Sequence, residues 1–157
     1  MTLRIRSATS GDAAALAAFM LEEWDRAHRG VLADELLDAR RAEPPDARRR
    51  RWSERVAGGG VLVAELEGRL VGTVRIDGVD GELGPQLGSL IVAAAARRRG
   101  IGAGLMRASI GRRAAHLWVF ERASGARRFH ERQGFRLDGV RRLDAFGPEL
   151  RMVRRAG

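Results

Sequence analysis

The feature that most constrains this chain is an apolar, strand-like segment that leads through arginines and glycines into a helix. Leu90-Ile91-Val92 is followed, after a short alanine segment, by Arg97-Arg98-Arg99-Gly100-Ile101-Gly102-Ala103. Apolar residues then recur four apart at Ile101 and Leu105, as on one face of a helix. The unpaired amides and the dipole of a first helical turn attract anions, and arginine offers phosphate a forked set of donors. The segment therefore predicts a phosphate site.

Two other kinds of phosphate loop do not fit these residues. A P-loop needs a lysine before Ser or Thr, and the chain contains no lysine. A dinucleotide-binding turn needs an acidic residue about twenty positions further on. That position falls near Ala123, and the glycine spacing also differs.

Length and composition limit the class of protein. The 157 residues are enough for one domain, which we expect to span residues 1–157. Because there is no cysteine, disulfides, thiolate metal sites and an acyl-cysteine intermediate are excluded. No apolar run approaches the roughly 20 residues of a membrane span, and no signal peptide is visible. The expectation is a cytoplasmic protein that does not enter a membrane.

The net charge of +9 raises the question of nucleic-acid binding. All 29 basic residues are arginine, and lysine, asparagine and tyrosine are absent, which indicates a GC-rich coding bias. The run Arg48–Arg51 precedes Trp52 and Val56 on a predicted helix, where a solvated outer face is expected. Aromatic platforms for single strands are scarce. The sequence therefore argues against a nucleic-acid partner, although charge alone keeps that alternative open.

Local patterns predict alternating strands and helices along the whole chain. A strand covers Leu3–Arg6, a helix runs from Thr9 or Ser10 to about Trp24, and the following segment has mixed signals that end at Pro44-Pro45. The remaining predicted elements are a short helix around 32–37, a helix at 46–57, strands at 61–66, 70–76 and 86–92, a helix to about 114, a strand at 116–120, a helix at 124–133, and strands at 135–137 and 150–154. The predicted order is β-α-α-β-β-β-α-β-α-β-β.

Two motifs and this order resemble one known family. Arg97-x-x-Gly100-x-Gly102 after Leu90-x-Val92 resembles the central motif of the GNAT superfamily of acyl-CoA-dependent N-acyltransferases. The segment Ala126–Phe135 is similar to the family's Ala-x-x-Phe-Tyr-Glu-x-x-Gly-Phe. The resemblance implies an α/β (α+β) GNAT fold, with a mixed central sheet of about seven strands flanked by about four helices.

The resemblance also implies a cosubstrate and its binding residues. Acetyl-CoA is the expected acyl donor, with its pyrophosphate on the loop from Arg97 to Ala103 and its pantetheine arm along Leu90-Ile91-Val92. Phe129 lies in the segment that the family places beside the thioester. The acceptor is expected between residues 24–42 and 141–149, where Arg26, His28 and Arg29 would favour a carboxylate-bearing substrate.

Two expected catalytic positions depart from the family. Gln86 stands where the family usually has a glutamate, and it can orient an amine or a water but cannot take a proton. His130 stands where the family often has a proton-donating tyrosine. It could donate to the departing thiolate as imidazolium or as a neutral tautomer, or it could only pack beside Phe129. The three histidines lack metal-ligand spacing, so no metal is expected.

The sequence therefore predicts an N-acetyltransferase that acts on the amine of an unidentified small molecule or peptide. Without a cysteine, direct attack in a ternary complex is expected. The expected partners are a coenzyme A thioester and an amine, and a homodimer is left open. A catalytically silent acyl-CoA sensor is the alternative that Gln86 and the missing tyrosine favour, and a nucleic-acid-binding protein is the second alternative.

Overall fold

The computed structural model describes residues 2–157, which form a mixed sheet with helices on both faces. The strands of the described residues are β1 Leu3–Ser7, β2 Val61–Leu66, β3 Arg69–Asp80, β4 Gly84–Val92, β5 Ala115–Phe120, β6 Arg136–Asp144 and β7 Gly147–Arg154. The α-helices are α1 Ala13–His28, α2 Asp34–Arg41, α3 Pro45–Ala57, α4 Ile101–Ile110 and α5 Ser124–Arg132. Single 3-10 turns precede α1 and α4. The strand order in the sheet is β1-β2-β3-β4-β5-β7-β6.

Alternating residues of β2 show how the helices are divided between the two faces of the sheet. Val61 and Val63 are buried with residues of α1 and α3, among them Trp52. Ala64, on the opposite face, is buried with residues of α4, among them Leu105. This alternation follows from the period of two along a strand. Both cores are apolar, so burial on each face fixes the register of the strands.

The sheet opens between β4 and β5, its one parallel strand pair in residues 2–157. The two strands pair only at Gln86 with His116 and at Leu87 with Leu117. Beyond these positions β4 stays paired with β3, and β5 stays paired with β7. The edge of β4 that faces β5 therefore carries N–H and C=O groups with no strand partner after Leu87.

The predicted seven-stranded mixed sheet is confirmed, and the helical content between β1 and β2 differs from the prediction. The predicted order counts two helices there, whereas the structure has α1, α2 and α3, of which α2 corresponds to the short helix predicted around 32–37. α2 is attached to α1 because Asp25 of α1 accepts hydrogen bonds from both Arg29 and Arg41. Pro45 begins α3 as its first residue, since a helix start tolerates the missing N–H.

Three other boundaries differ for local reasons. β3 continues to Asp80, beyond the predicted strand end at residue 76, because Gly78 pairs with Gln86 inside a long hairpin. α4 ends at Ile110 and not near residue 114, because Gly111 has a positive φ of 56° that stops the helix. β6 spans a segment that includes much of the predicted acceptor loop, where pairing with β7 forms a hairpin.

Candidate functional site

The opening between β4 and β5 holds a cavity of about 800 Å³ that reaches both faces of the sheet. Its lining comes from β3, β4, the loop before α4 and the first turn of that helix, the end of β5, α5, the β6–β7 hairpin, and the end of α1. The lining residues used below are Trp24, His28, Arg75, Asp77, Gln86–Val92, Arg97, Arg98, Gly102, Trp118, Phe120, Phe129, His130, Arg142, Asp144 and Glu149. Of the predicted site residues, Gln86, Leu90, Ile91, Val92, Arg97, Arg98, Gly102, Phe129 and His130 are thereby brought together.

The loop before α4 leaves a turn of backbone amides facing outward. Arg98 and Gly100 both adopt the left-handed conformation, with φ of 65° and 76°. The first hydrogen bond of α4 runs from the N–H of Gly104 to the carbonyl of Gly100 at 2.9 Å. The amides of residues 101–103 therefore have no acceptor within the helix. This is the arrangement that binds an anion at a helix N-terminus.

The remaining predicted loop residues lie next to the cavity and do not line it. Arg99 and Gly100 are exposed, whereas the side chain of Ile101 is buried in the core below α4. Ala103 is half-buried in the first turn of the helix. For Ile101 and Ala103 the groups that could contact a ligand are therefore their backbone amides.

Gly102 is enclosed by Phe129. A Cβ atom at position 102 would lie 3.1 Å from Cζ and 3.3 Å from Cε2 of Phe129, and 3.7 Å from Cδ2 of Leu90. The ring of Phe129 therefore packs directly on the first turn of α4. Glycine is favoured here by packing as well as by access to the backbone.

Leu90, Ile91 and Val92 place an open strand edge along the cavity. Each pairs with β3 on one side, at Val74, Thr73 and Gly72. The other edge of β4 has no strand partner at these positions. An extended ligand in the cavity could therefore bond to the backbone of β4 as an added strand does.

Gln86 lies at the closed end of the cavity, beside an acidic residue that the sequence analysis missed. Asp77 lies on neighbouring β3, and its carboxylate covers Gly88, where a Cβ atom would be 2.7 Å from Cγ of Asp77. Arg75 forms an ion pair with Asp77. The i, i+2 spacing of Arg75 and Asp77 on a strand is the signal that could have revealed this pair.

His130 projects from α5 into a largely apolar environment. Its ring has edge contacts with Phe129 at 5.3 Å and Phe135 at 5.9 Å between centroids. Nδ1 is buried without a hydrogen-bond partner in the described part of the chain. Burial lowers the pKa of His130 to about 4, since the charged ring would be desolvated. The ring is therefore neutral at neutral pH, which disfavours the imidazolium donor and leaves the neutral tautomer.

An aromatic cluster, consisting of Trp24, His28, Phe120 and Phe146, closes the other end of the cavity. The rings of Trp24 and His28 stack at 4.1 Å, and Phe120 meets His28 at 5.5 Å. Phe146, in the turn between β6 and β7, meets Trp24 at 5.3 Å. Trp24 and His28 fall within the acceptor region expected from the sequence, but their clustering with Phe120 and Phe146 was not predicted. The i, i+4 spacing of Trp24 and His28 was its visible signal.

A network of ion pairs holds the end of α1 in place. Asp25 is buried, and hydrogen bonds from Arg29 and Arg41 hold the pKa of its carboxyl below the ordinary value. Arg40 donates to the carbonyl of Met20 at 3.0 Å, and its guanidinium lies 4.5 Å above the Trp24 ring.

Since Arg29 is ion-paired with Asp25, Asp34 and Asp38, it is not free to bind a substrate carboxylate. Arg26, which pairs with Glu23, does not line the cavity either.

The late strands contribute a second paired acid. Glu149 of β7 is buried and accepts a hydrogen bond from Nε of Arg142 at 2.8 Å. The Arg142 guanidinium lies 4.1 Å above the ring of Trp118. Asp144 accepts the N–H of Phe146 at 3.0 Å in the turn after β6. Acidic groups therefore line the acceptor end of the cavity, and Glu149 is engaged by an arginine.

A second cavity, of about 840 Å³, lies at the opposite end of α4 and is lined by arginines. There Arg154 donates to the carbonyls of Gly111 and Arg113, both at 2.8 Å. Arg112, Arg136 and Arg155 complete its basic wall. It has neither the open strand edge nor the helix N-terminus of the first cavity. We therefore take the smaller cavity as the candidate active site.

Within residues 2–157, no group of three or more His, Cys, Asp or Glu side chains is arranged to hold a metal ion. No helix in the same range combines the length and apolar character needed to cross a membrane.

Comparisons with solved structures show the same fold across nearly the whole chain. PaiA N-acetyltransferase from Thermoplasma acidophilum in complex with coenzyme A has a TM-score of 0.77 at 17% identity, with 99% of each chain covered. YncA from Salmonella typhimurium with its cofactor acetyl-CoA has a TM-score of 0.68 at 17% identity, covering 100% of this chain and 95% of the other. A GNAT-family acetyltransferase from Bacillus cereus has a TM-score of 0.72 at 15% identity, covering 100% of this chain and 99% of the other.

The sequence itself carries a family match. A search of curated proteins gave no significant match. The family model described as "Acetyltransferase (GNAT) domain" matches residues 57–137, a segment that contains the opening between β4 and β5 and all of α4 and α5. Because this match covers just over half of the chain and the fold agrees along its length, the chain belongs to the GNAT acetyltransferase family.

Proposed function

We propose that this protein is an N-acetyltransferase that transfers the acetyl group of acetyl-CoA to the amine of a small molecule or peptide. The observation that carries the proposal is the open edge of β4, which leads from the helix N-terminus of α4 to the aromatic cluster. The solved relatives that contain coenzyme A or acetyl-CoA support the choice of cosubstrate. Their near-complete coverage also supports residues 1–157 acting as one domain.

The pyrophosphate of acetyl-CoA would bind at the start of α4. The free amides of residues 101–103 and the positive end of the helix dipole favour an anion there. Arg97 and Arg98 line the same end of the cavity and add permanent charge. The pantetheine arm would then follow Leu90-Ile91-Val92, past the packed pair Gly102 and Phe129.

The thioester carbonyl would be polarised by amides of the open β4 edge around Ile91 and Val92. Backbone donors that are already in place stabilise the charge that develops on the carbonyl oxygen. Since the chain has no cysteine, the amine attacks the thioester directly. Gln86 can orient the amine or a water by hydrogen bonds but cannot accept its proton.

His130 would act on the leaving sulfur as a neutral hydrogen-bond donor. Nδ1 of His130 is buried without a hydrogen-bond partner among residues 2–157. Placing the N–H at Nε2 leaves a lone pair unpaired at Nδ1, which costs less than leaving an N–H donor unpaired there. A neutral imidazole stabilises a thiolate by its hydrogen bond without surrendering the proton. The thiolate, with a pKa of about 8.5 by analogy with cysteine, is then protonated by solvent.

A catalytically silent acyl-CoA sensor is the second candidate. It is favoured by Gln86 in place of glutamate and by the arginine pairing of Asp77 and Glu149, which engages two carboxylates of the cavity. Calorimetry with acetyl-CoA, followed by thiol release with a panel of amines, separates the two functions. Turnover with any amine excludes the sensor, and absence of acetyl-CoA binding at millimolar concentration contradicts both.

A further inference from the structure

We infer that His28 is the general base of the reaction and that its Nε2 atom takes the proton of the acceptor amine. The inference rests on the proposed function, because it requires an amine that attacks acetyl-CoA in the cavity. His28 is the last residue of α1 and belongs to the aromatic cluster at the acceptor end.

The tautomer of His28 follows from its hydrogen bond. Nδ1 lies 2.6 Å from the carbonyl oxygen of Trp24, one helical turn earlier. A carbonyl only accepts, so Nδ1 must carry the proton, and in the neutral ring Nε2 holds the free lone pair. Nε2 has no hydrogen-bond partner within residues 2–157, and it is not among the buried polar atoms of that range, so it is accessible. It therefore opens on the cavity that the ring lines.

The surroundings of His28 keep the ring neutral. Burial is the main cause that lowers its pKa, and Arg40 of α2 adds to the effect. The Trp24 carbonyl and Asp25 act in the opposite direction and do not overcome it. From the other elements, Asp144 at the end of β6 also lines the cavity, and Phe120 of β5 contributes an uncharged ring. At pH 7 the base is therefore present in its active form.

The other proton acceptors of the cavity are less suited to this role. Asp77 is ion-paired with Arg75, and Glu149 with Arg142. Asp144 accepts a hydrogen bond from the N–H of Phe146 but has no arginine partner in the described part of the chain, so its role as a competing base must be tested with a variant. The stacking of His28 on Trp24, with Arg40 on the same indole, holds the imidazole in a defined place.

The step balances in atoms and charge. The lone pair of the amine nitrogen forms the N–C bond to the thioester carbonyl carbon, and the N–H becomes acidic as that bond forms. Its proton moves to Nε2 of His28. The C–S bond breaks with its electron pair on sulfur, and the thiolate leaves while hydrogen-bonded to His130. The His28 imidazolium then returns its proton to solvent.

The test compares three variants in acetyl transfer. His28→Phe keeps a ring to stack on Trp24, His28→Ala leaves space for added imidazole, and Asp144→Asn is the control for the competing carboxylate. The wild type is first screened with primary alkylamines and arylamines, and the rate is then followed with an arylamine that stays neutral over the pH range. We expect His28→Phe to lower kcat at least about 100-fold, with a Kd for acetyl-CoA within about twofold of the wild type.

Three further readouts separate a base from a packing residue. Imidazole should restore part of the activity of His28→Ala, and the fall of kcat at acidic pH should persist in Asp144→Asn but vanish in His28→Phe. Nitrogen NMR of the wild type should show Nε2 of His28 unprotonated at pH 7. The inference is overturned by the opposite tautomer, or by His28→Phe with kcat within threefold of wild type. Absence of turnover in the wild type with every amine instead contradicts the proposed function itself.

Discussion

Adding one methyl group at Gly102 tests whether the first turn of α4 contacts the cosubstrate. In Gly102→Ala the new Cβ lies 3.1 Å from Cζ of Phe129, so the ring must shift by a few tenths of an ångström. The methyl also projects beside the turn where the pyrophosphate and pantetheine arm are expected. We predict that the affinity for acetyl-CoA falls by about 5- to 30-fold, corresponding to about 1 to 2 kcal/mol lost where the methyl group crowds the bound cosubstrate.

Gly104→Ala is the matched control because it lies two residues further along the same helix. Its Cβ would meet Cδ1 of Ile5 at 3.1 Å, an equally close contact that involves a flexible side-chain end away from the cavity. Both variants gain up to about 1 kcal/mol of helix propensity, so stability alone cannot explain a difference between them. Isothermal titration calorimetry with acetyl-CoA measures the affinities, and urea unfolding measures the stabilities.

The two variants give opposite expectations for binding. Gly104→Ala should bind acetyl-CoA within about twofold of the wild type. If Gly102→Ala also binds like the wild type, the first turn of α4 does not contact the cosubstrate. Equal weakening of both variants would point to a general disturbance of α4 and would equally contradict a contact between its first turn and the cosubstrate.

Three further outcomes are expected. Arg98→Gln should weaken acetyl-CoA binding about 10-fold in calorimetry, since a charge-assisted contact is lost, whereas Arg136→Gln in the second cavity should leave the Kd unchanged. His130→Phe should lower kcat more than it raises KM for acetyl-CoA. Because His130 is neutral at pH 6.5, the wild type and this variant should have the same pH dependence of the rate near that pH. Asp25→Asn removes the ion pairs with Arg29 and Arg41 and should reduce the free energy of unfolding, measured in urea at pH 7, by about 1 to 3 kcal/mol. The loss is limited because both arginines are partly exposed. Since the folded pKa of Asp25 is lowered, its contribution is present above the ordinary value of about 3.9 and is lost as the pH falls below it, so the two proteins should converge in acid.

The secondary-structure elements that could be predicted from the sequence are those whose cause lies in neighbouring residues. The strand at Leu90–Val92, the turn at Gly100 and the helix through Leu105 each have a local chemical cause, and all three form as expected. The sequence predicts β6 only over residues 135–137, because nearly every residue of the strand is exposed and it therefore shows no alternation of buried positions. It forms by pairing with β7, which local pattern does not report.

The site was harder to predict than the fold because its key features depend on distant residues. The opening beside β4 arises where parallel pairing with β5 stops, after Leu87 and Leu117, and no local motif marks that point. The aromatic cluster joins His28 to Phe120 and Phe146 across more than ninety residues of sequence. The neutral state of His130 follows from burial, which its residue type does not reveal.

The most direct test of the account is a titration of the labelled protein with acetyl-CoA, monitored by the backbone amide resonances. We predict saturable shifts of the amides of Leu90–Val92 and of residues 98–103, with no comparable change at Arg112 or Arg136. Shifts confined to the arginine-lined cavity at the far end of α4, or no saturable shift at all, would contradict the central claim that the opening between β4 and β5 binds the cosubstrate.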